Sequence, residues 1–183
     1  VVSETMPHLR RGALKDFLKI MKTTGRYVDS RYNRTLSTYK FSNGSYMEFF
    51  SADMEEKVRG ARRNILFINE CNNLAFETYH QLAIRTDGVI YLDFNPSAEF
   101  WVHTELLGDK DVETITLTYK DNEALAESIV QDIESARDKA ADSAYWANWW
   151  KVYGLGELGI VQGVIFDNWE LIDSVPSDAR MLG

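Results

Sequence analysis

The residues best suited to chemistry close an apolar run: Asn64-Ile65-Leu66-Phe67-Ile68 leads directly into Asn69-Glu70. A run that turns polar only at its carboxyl end predicts a central parallel strand covered on both faces, and open α/β sheets bind ligands at that end. A carboxylate placed there can orient or deprotonate a water attacking a bound nucleotide, while Asn69 can hold magnesium-bound waters. A buried strand whose tip merely reaches solvent would carry the same letters. Val89 to Phe94 repeats the pattern and ends in Asp93-Phe94-Asn95-Pro96. Strand alternation puts Asp93 and Asn95 on one face, near Glu70 if the two strands are neighbours, although Asn-Pro is also a plain strand stop. Ahead of the first strand stands Arg59-Gly60-Ala61-Arg62-Arg63. Gly60 would permit a loop from which an arginine reaches a phosphate held by a neighbouring subunit; a solvated basic turn is the alternative.

Other groups carry less. Gly154-x-Gly156-x-x-Gly159 spells a dinucleotide fingerprint, but an aromatic helix precedes it where a strand is required, so these glycines read as linker. His8, His80 and His103 have no ligand-type partner at helical spacing, which argues against zinc. The single cysteine, Cys71, excludes an intramolecular disulfide and a cysteine-based metal cluster, and fits a reducing compartment. Trp146, Trp149 and Trp150 read as a hydrophobic cluster closing a domain rather than a platform for stacking bases.

The elements that must position these residues follow from periodicity. Val1 to Glu4 predicts the end of a buried strand. Pro7 opens an amphipathic helix with Leu9, Leu14, Phe17, Leu18 and Met21 on its apolar side and Gly25 at its end. Thr38–Phe41 and Tyr46–Ser51 flank Ser42-Asn43-Gly44-Ser45, a β-hairpin signal. A helix is expected over Phe76–Arg85, a third strand over Val112–Tyr119 and a helix from about Asn122 to Lys139. Strands alternating with helices give an α/β fold, mainly a parallel sheet flanked by helices. The 183 residues, 45% hydrophobic, suffice for one core. The net charge of −8 excludes a uniformly basic nucleic-acid coat. Charge is nevertheless segregated. His8 to Lys40 carries nine Lys and Arg against Asp16 and Asp29, whereas Glu105 to Asp142 carries eleven acidic residues against four basic ones. No apolar run approaches the roughly 20 residues of a membrane span. The opening Val-Val-Ser-Glu, without an initiator Met, reads like a piece of something longer.

In this order, the features resemble the large terminase subunit of tailed bacteriophages and prophages. The resemblance rests on Val1-Val2-Ser3-Glu4-Thr5 with Leu9-Arg10-Arg11, the Asn43-Gly44 hairpin, and Lys57-Val58-Arg59-Gly60-Ala61-Arg62. It continues through the Walker B-like Ile65–Glu70, Gln81-Leu82 with Arg85, and the coupling-motif-like Phe94-Asn95-Pro96. Thr118-Tyr119-Lys120-Asp121-Asn122 and Gly156-Glu157-Leu158-Gly159 complete it. It implies a P-loop NTPase-like (ASCE type) α/β domain with a β-hairpin insertion, truncated at the N-terminus, over 1–150. Residues 151–183 would be a linker and first strand leading to a missing nuclease domain.

The implied function is the ATP-hydrolysing motor that packages viral DNA into procapsids; a non-catalytic α/β binding or structural domain is the alternative. Glu70 would be the catalytic carboxylate, Arg59 the arginine acting in trans, Asn95 the sensor of the γ-phosphate, and Asn69 a nucleotide-site residue touching magnesium through water. ATP and Mg2+ would serve the intact protein. The partners would be double-stranded DNA, portal protein, small terminase subunit and other copies in a ring, in the host bacterial cytoplasm. Two departures stand out. The loop Gly-x-x-x-x-Gly-Lys-Ser/Thr occurs nowhere, so nucleotide binding by this stretch alone is not expected. Asn69 stands where the family usually has Asp, so either metal binding is weakened or another carboxylate such as Asp93 compensates. Of the nuclease acids, Asp167, Glu170 and Asp173 are the nearest candidates and read as linker residues.

Overall fold

A computed structural model describes residues 1–160 of the chain. Its first strand, β1 (Val2–Ser3), leads into helices α1 (Met6–Arg11) and α2 (Ala13–Thr23). The single helix expected after Pro7 is therefore two. Gly12, at φ −99° and ψ −111°, leaves helical geometry between them, although its N–H still reaches the His8 carbonyl at 3.0 Å. Gly25, at φ 67°, ends the second helix as expected.

Three short strands, β2 (Tyr32–Asn33), β3 (Thr38–Lys40) and β4 (Tyr46–Glu48), form an antiparallel sheet in the order β2-β3-β4. The Asn43-Gly44 turn makes the hairpin: Gly44 lies at φ 89° and Asn43 Oδ1 accepts the Ser45 N–H at 3.0 Å. The hairpin's second arm is shorter than expected, because Phe50–Ser51 leaves it as β5 and pairs in parallel with β1. Phe49 and Phe50 are both buried, one against α1 and α2, the other in the core of the main sheet. Adjacent side chains thus anchor two cores and carry the chain from one sheet to the other.

Helix α3 (Glu55–Gly60), strand β6 (Arg63–Ile68), helix α4 (Phe76–Ala83) and strand β7 (Thr86–Leu92) complete a four-stranded parallel sheet in the order β5-β1-β6-β7. Leu66 and Ile68 sit beside Ile90 and Leu92, and with Val2, Leu82 and Cys71 they build the core. The expectation that β6 is covered on both faces does not hold among the described residues. Its alternate side chains point away from that core: Ile65 is 66% exposed, and Tyr91, beside Phe67 on β7, is 57% exposed. Strand alternation sends successive residues to opposite faces, so the side of β6 and β7 away from Leu66 and Ile68 is left largely open, within a sheet that helices flank elsewhere.

The strand expected over Val112–Tyr119 is absent as well. Ile115 and Leu117 are 74% and 73% exposed, and no described strand lies alongside to take their backbone hydrogen bonds. Thr118 and Asp121 close a capping box there and start a 3₁₀ turn (Tyr119–Asp121). Helix α5 (Glu127–Lys139) begins later than read, since Asn122 Oδ1 accepts the Ala124 N–H and holds a turn. Helix α6 (Ala144–Trp149) and a π-helical turn (Trp150–Gly154) pack their half-buried tryptophans on α5, with Lys139 Nζ 4.6 Å from the Trp146 ring centre. Residues 161–183, the greater part of the expected linker and first strand, lie outside the described residues. Among the described residues no helix is long and apolar enough to cross a membrane.

Alignment of β6 with β7 depends on a bulge near Gly88, where register shifts between Arg63 and Ile65 and a Cβ would run into the Asn64 carbonyl oxygen. Gly88→Ala is therefore expected to destabilise the fold by about 1–3 kcal/mol, read as a lower urea midpoint. An unchanged midpoint would show that the strands shift without cost.

Candidate active site

Glu70 stands two residues beyond β6, before the 3₁₀ turn Cys71–Asn73, in the left-handed region at φ 54° and ψ 57°. A non-glycine residue held there costs about 1–3 kcal/mol, so its surroundings must enforce it. They do so through the end of β7. Glu70 N–H donates to Asp93 Oδ1 at 2.8 Å, Cys71 N–H to the Asp93 carbonyl at 2.9 Å, and Asp93 N–H to the Ile68 carbonyl at 3.2 Å. The two strands are neighbours, the condition on which the sequence placed Asp93 and Asn95 near Glu70, and Asp93 meets Glu70 directly.

Two side chains approach one oxygen of the Glu70 carboxylate. Asn73 Nδ2 donates to its Oε2 at 3.2 Å, and His8 Nε2, on α1, lies 3.3 Å from the same oxygen. Sequence spacing passed over His8 because its partner is on another element. The available signal was its position directly after β1, the strand adjacent to β6. Partial desolvation, then the Glu70 charge, pushes the Asp93 carboxyl above the usual range, while the Glu70 N–H works the other way.

Asn69 is tied by its backbone to β1, with its N–H on the Val2 carbonyl at 2.8 Å and its carbonyl accepting from Ser3 Oγ at 3.4 Å. Asn95 is exposed in the loop after β7, and among the described residues no hydrogen bond or ion pair joins it to Glu70. Arg59 is exposed in the last turn of α3, its carbonyl accepting from Arg85 Nε at 2.6 Å. Gly60 is helical and not in the left-handed region, so the glycine-dependent loop expected there is a helix end. Arg63 is differently engaged. Its guanidinium donates to the carbonyls of Lys57, Ala61 and Leu82 and lies over the Phe50 ring, which makes it a staple of the sheet.

Among the described residues no group of three or more His, Cys, Asp and Glu is arranged to hold a metal. Glu70 and Asp93 each already accept a hydrogen bond, and Asn69 offers a neutral amide. This set fits magnesium carried by nucleotide phosphates and touched through water, and does not fit an ion coordinated by protein alone. The glycine motif does not form a phosphate loop. Gly154 closes a helical turn against the Trp150 ring, and Gly159 N–H donates to the Pro96 carbonyl at 2.7 Å. Apart from the site, a groove of about 610 Å³ between α2 and the antiparallel sheet is lined by Arg10, Lys15, Lys19, Lys22 and Arg34. Asp167, Glu170 and Asp173 lie outside the described residues.

A family model described as phage terminase large subunit matches residues 4–157. Among solved structures, the chain is similar to the large terminase of a thermophilic bacteriophage. In one crystal form the identity is 17% and the TM-score 0.67, covering 92% of this chain and 42% of that one. The complex of that terminase with ADP gives 19%, 0.68, 92% and 42%, and its complex with ATP-gamma-S gives 19%, 0.62, 85% and 38%. The chain thus spans about two fifths of these terminases. No curated protein matches it.

Cys71, wholly buried beside Glu70, has its thiol pushed up to about 12, first by burial and then by the Asp93 charge. The unfolded thiol ionises near 9.0, so between those values the unfolded chain binds fewer protons and is favoured as pH rises. Unfolding free energies measured from about pH 8 to about 10.5 should fall by roughly 1–2 kcal/mol more in the natural chain than in Cys71→Ala. Equal losses would remove Cys71 from the alkaline response.

Proposed function

This chain belongs to the phage terminase large-subunit family, and we propose that it forms part of the ATP-driven motor that packages viral DNA into procapsids. In this reading 1–150 are the ATPase portion, and 151–183 lead towards a nuclease domain. The observation that carries it is the placement of Glu70 and Asp93 at the carboxyl ends of adjacent parallel strands, inside the segment matched by the family model. The nucleotide complexes of the thermophilic phage terminase support ATP as the ligand.

Glu70 then orients the attacking water and takes its proton as the water oxygen bonds to the γ-phosphorus and the bond from that phosphorus to the β–γ bridging oxygen breaks, so that ADP and inorganic phosphate leave. Asp93 fixes the Glu70 backbone rather than competing for the proton. Asn95, on the loop that follows, senses the γ-phosphate. Magnesium on the phosphates would supply charge neutralisation, and Asn69 would hold one of its waters. Arg59, exposed on α3, reaches the site of the next subunit in a homo-oligomeric ring. The ring works with portal protein and small terminase subunit in the host cytoplasm. The basic groove beside α2 is suited to a phosphate backbone in spite of the acidic whole.

In a subunit containing this chain together with a phosphate-binding loop, Glu70→Gln should lower ATP turnover at least about 10²-fold while sparing ATP affinity. Near-normal turnover would exclude Glu70 as the base. Arg59→Ala should leave ATP affinity unchanged but remove the stimulation that assembly brings, about 10³-fold or more. Mixing it with Glu70→Gln subunits should restore part of the rate, since some interfaces then join an intact Arg59 to an intact Glu70. No recovery in assembled mixtures would exclude the trans role.

A further inference from the structure

We propose that His8 is a positioning residue for Glu70, holding the carboxylate by Oε2 so that Oε1 is presented to the reacting water. The inference rests on the function proposed above for Glu70 and adds a residue from a different element to that site.

Three observations carry it. Among the described residues, both side-chain contacts of the Glu70 carboxylate fall on one oxygen: His8 Nε2 at 3.3 Å and Asn73 Nδ2 at 3.2 Å. The two side chains of the His8 pair are 36% and 41% exposed, so the contact lies at the rim of the site, open to water and to a ligand. The backbone of Glu70 is fixed independently, by its left-handed conformation and by its N–H on Asp93 Oδ1 at 2.8 Å. A carboxylate whose backbone is pinned keeps only its side-chain torsions. A carboxylate with one oxygen captured loses most of that freedom too, which leaves the other oxygen directed.

His8 is placed to do this by pairing of the main chain rather than by chance proximity. Val2 pairs with Ile68, and Asn69 N–H donates to the Val2 carbonyl, so the carboxyl ends of β1 and β6 are level. Helix α1 starts just beyond β1, and its buried Leu9 packs with Leu14 and Phe49. With Leu9 turned into that core, the preceding residue is set on the side facing Glu70. Asn73 sits on the turn that follows Glu70 and moves with it. His8 alone, among the described side chains, references the carboxylate to the β1–α1 segment.

General-base catalysis depends on the direction of the acceptor oxygen, and a misplacement of about 1 Å can cost up to 10²-fold in rate. In the ATPase-competent subunit, His8→Ala should lower kcat roughly tenfold with KM for ATP unchanged, and His8→Gln, which keeps an N–H donor at similar reach, should recover at least half of the loss. A kcat within about twofold of the parent in His8→Ala, or a rise in KM alone, would overturn the positioning role. A second readout needs no turnover. In long-range 1H–15N spectra of the three imidazoles, Glu70→Gln should move the His8 Nε2 resonance and leave those of His80 and His103 in place. An unmoved His8 resonance overturns the contact itself. If the parent subunit shows no ATP turnover while the His8 resonance responds, the contact stands and the ATPase reading fails, so the two failures are distinguishable.

Discussion

Everything at the site depends on three parallel strands ending level with one another. β1, β6 and β7 are joined at their carboxyl ends by main-chain bonds: Asn69 N–H to the Val2 carbonyl, Asp93 N–H to the Ile68 carbonyl, and Cys71 N–H to the Asp93 carbonyl. Beneath them Val2, Leu66, Ile68 and Cys71 are wholly buried, and burial of aliphatic side chains such as the first three contributes about 1.5–3 kcal/mol each. The apolar core sets the register, and the register sets the distances between polar groups. His8, Glu70 and Asp93 come from three separate stretches of sequence and meet because the strands that precede them are paired.

The two ends of the sheet are built from opposite charges. At the amino end, the guanidinium groups of Arg63 and Arg85 are occupied by backbone carbonyls, and the Arg63 backbone N–H also donates to the Arg85 carbonyl. These bonds fasten α3 and α4 to the start of β6 and β7, and burial lowers the Arg63 pKa without freeing it for other work. At the carboxyl end stand Glu70 and Asp93, with Asn69, Asn73 and His8 around them. With Arg63 and Arg85 at one end and the Glu70 and Asp93 carboxylates at the other, opposite charges are kept apart along strands of 6 and 7 residues.

The glycines after α6 gain a role from their packing. Gly156, at φ 68°, lies against Thr116, and Gly159 is held on the Pro96 carbonyl with no room for a Cβ. Asn148 brackets Ile160, donating to its carbonyl at 3.1 Å and accepting its N–H at 2.7 Å. The segment leaving α6 therefore rests at Pro96 on the loop that follows β7, a short way along the chain from Asp93.

Local rules made much of this legible. The Asn43-Gly44 turn, the helix over Phe76–Ala83 and the apolar β6 leading into Asn69-Glu70 were readable because each depends on residues within a few positions of one another. The nearness of Glu70 and Asp93 was readable only on condition that their strands pair, as consecutive strands joined by a helix tend to do. The rest was settled by long-range packing. Gly12 splits a helix because Leu9 and Leu14 must both reach one core; Phe50 leaves its hairpin because β1 offers a parallel partner; Val112–Tyr119 stays irregular where no described strand adjoins it. His8 shows the limit most clearly. A lone histidine has no periodicity to mark it, and its meaning comes from the carboxylate across the strand pairing, a distance that sequence order does not contain.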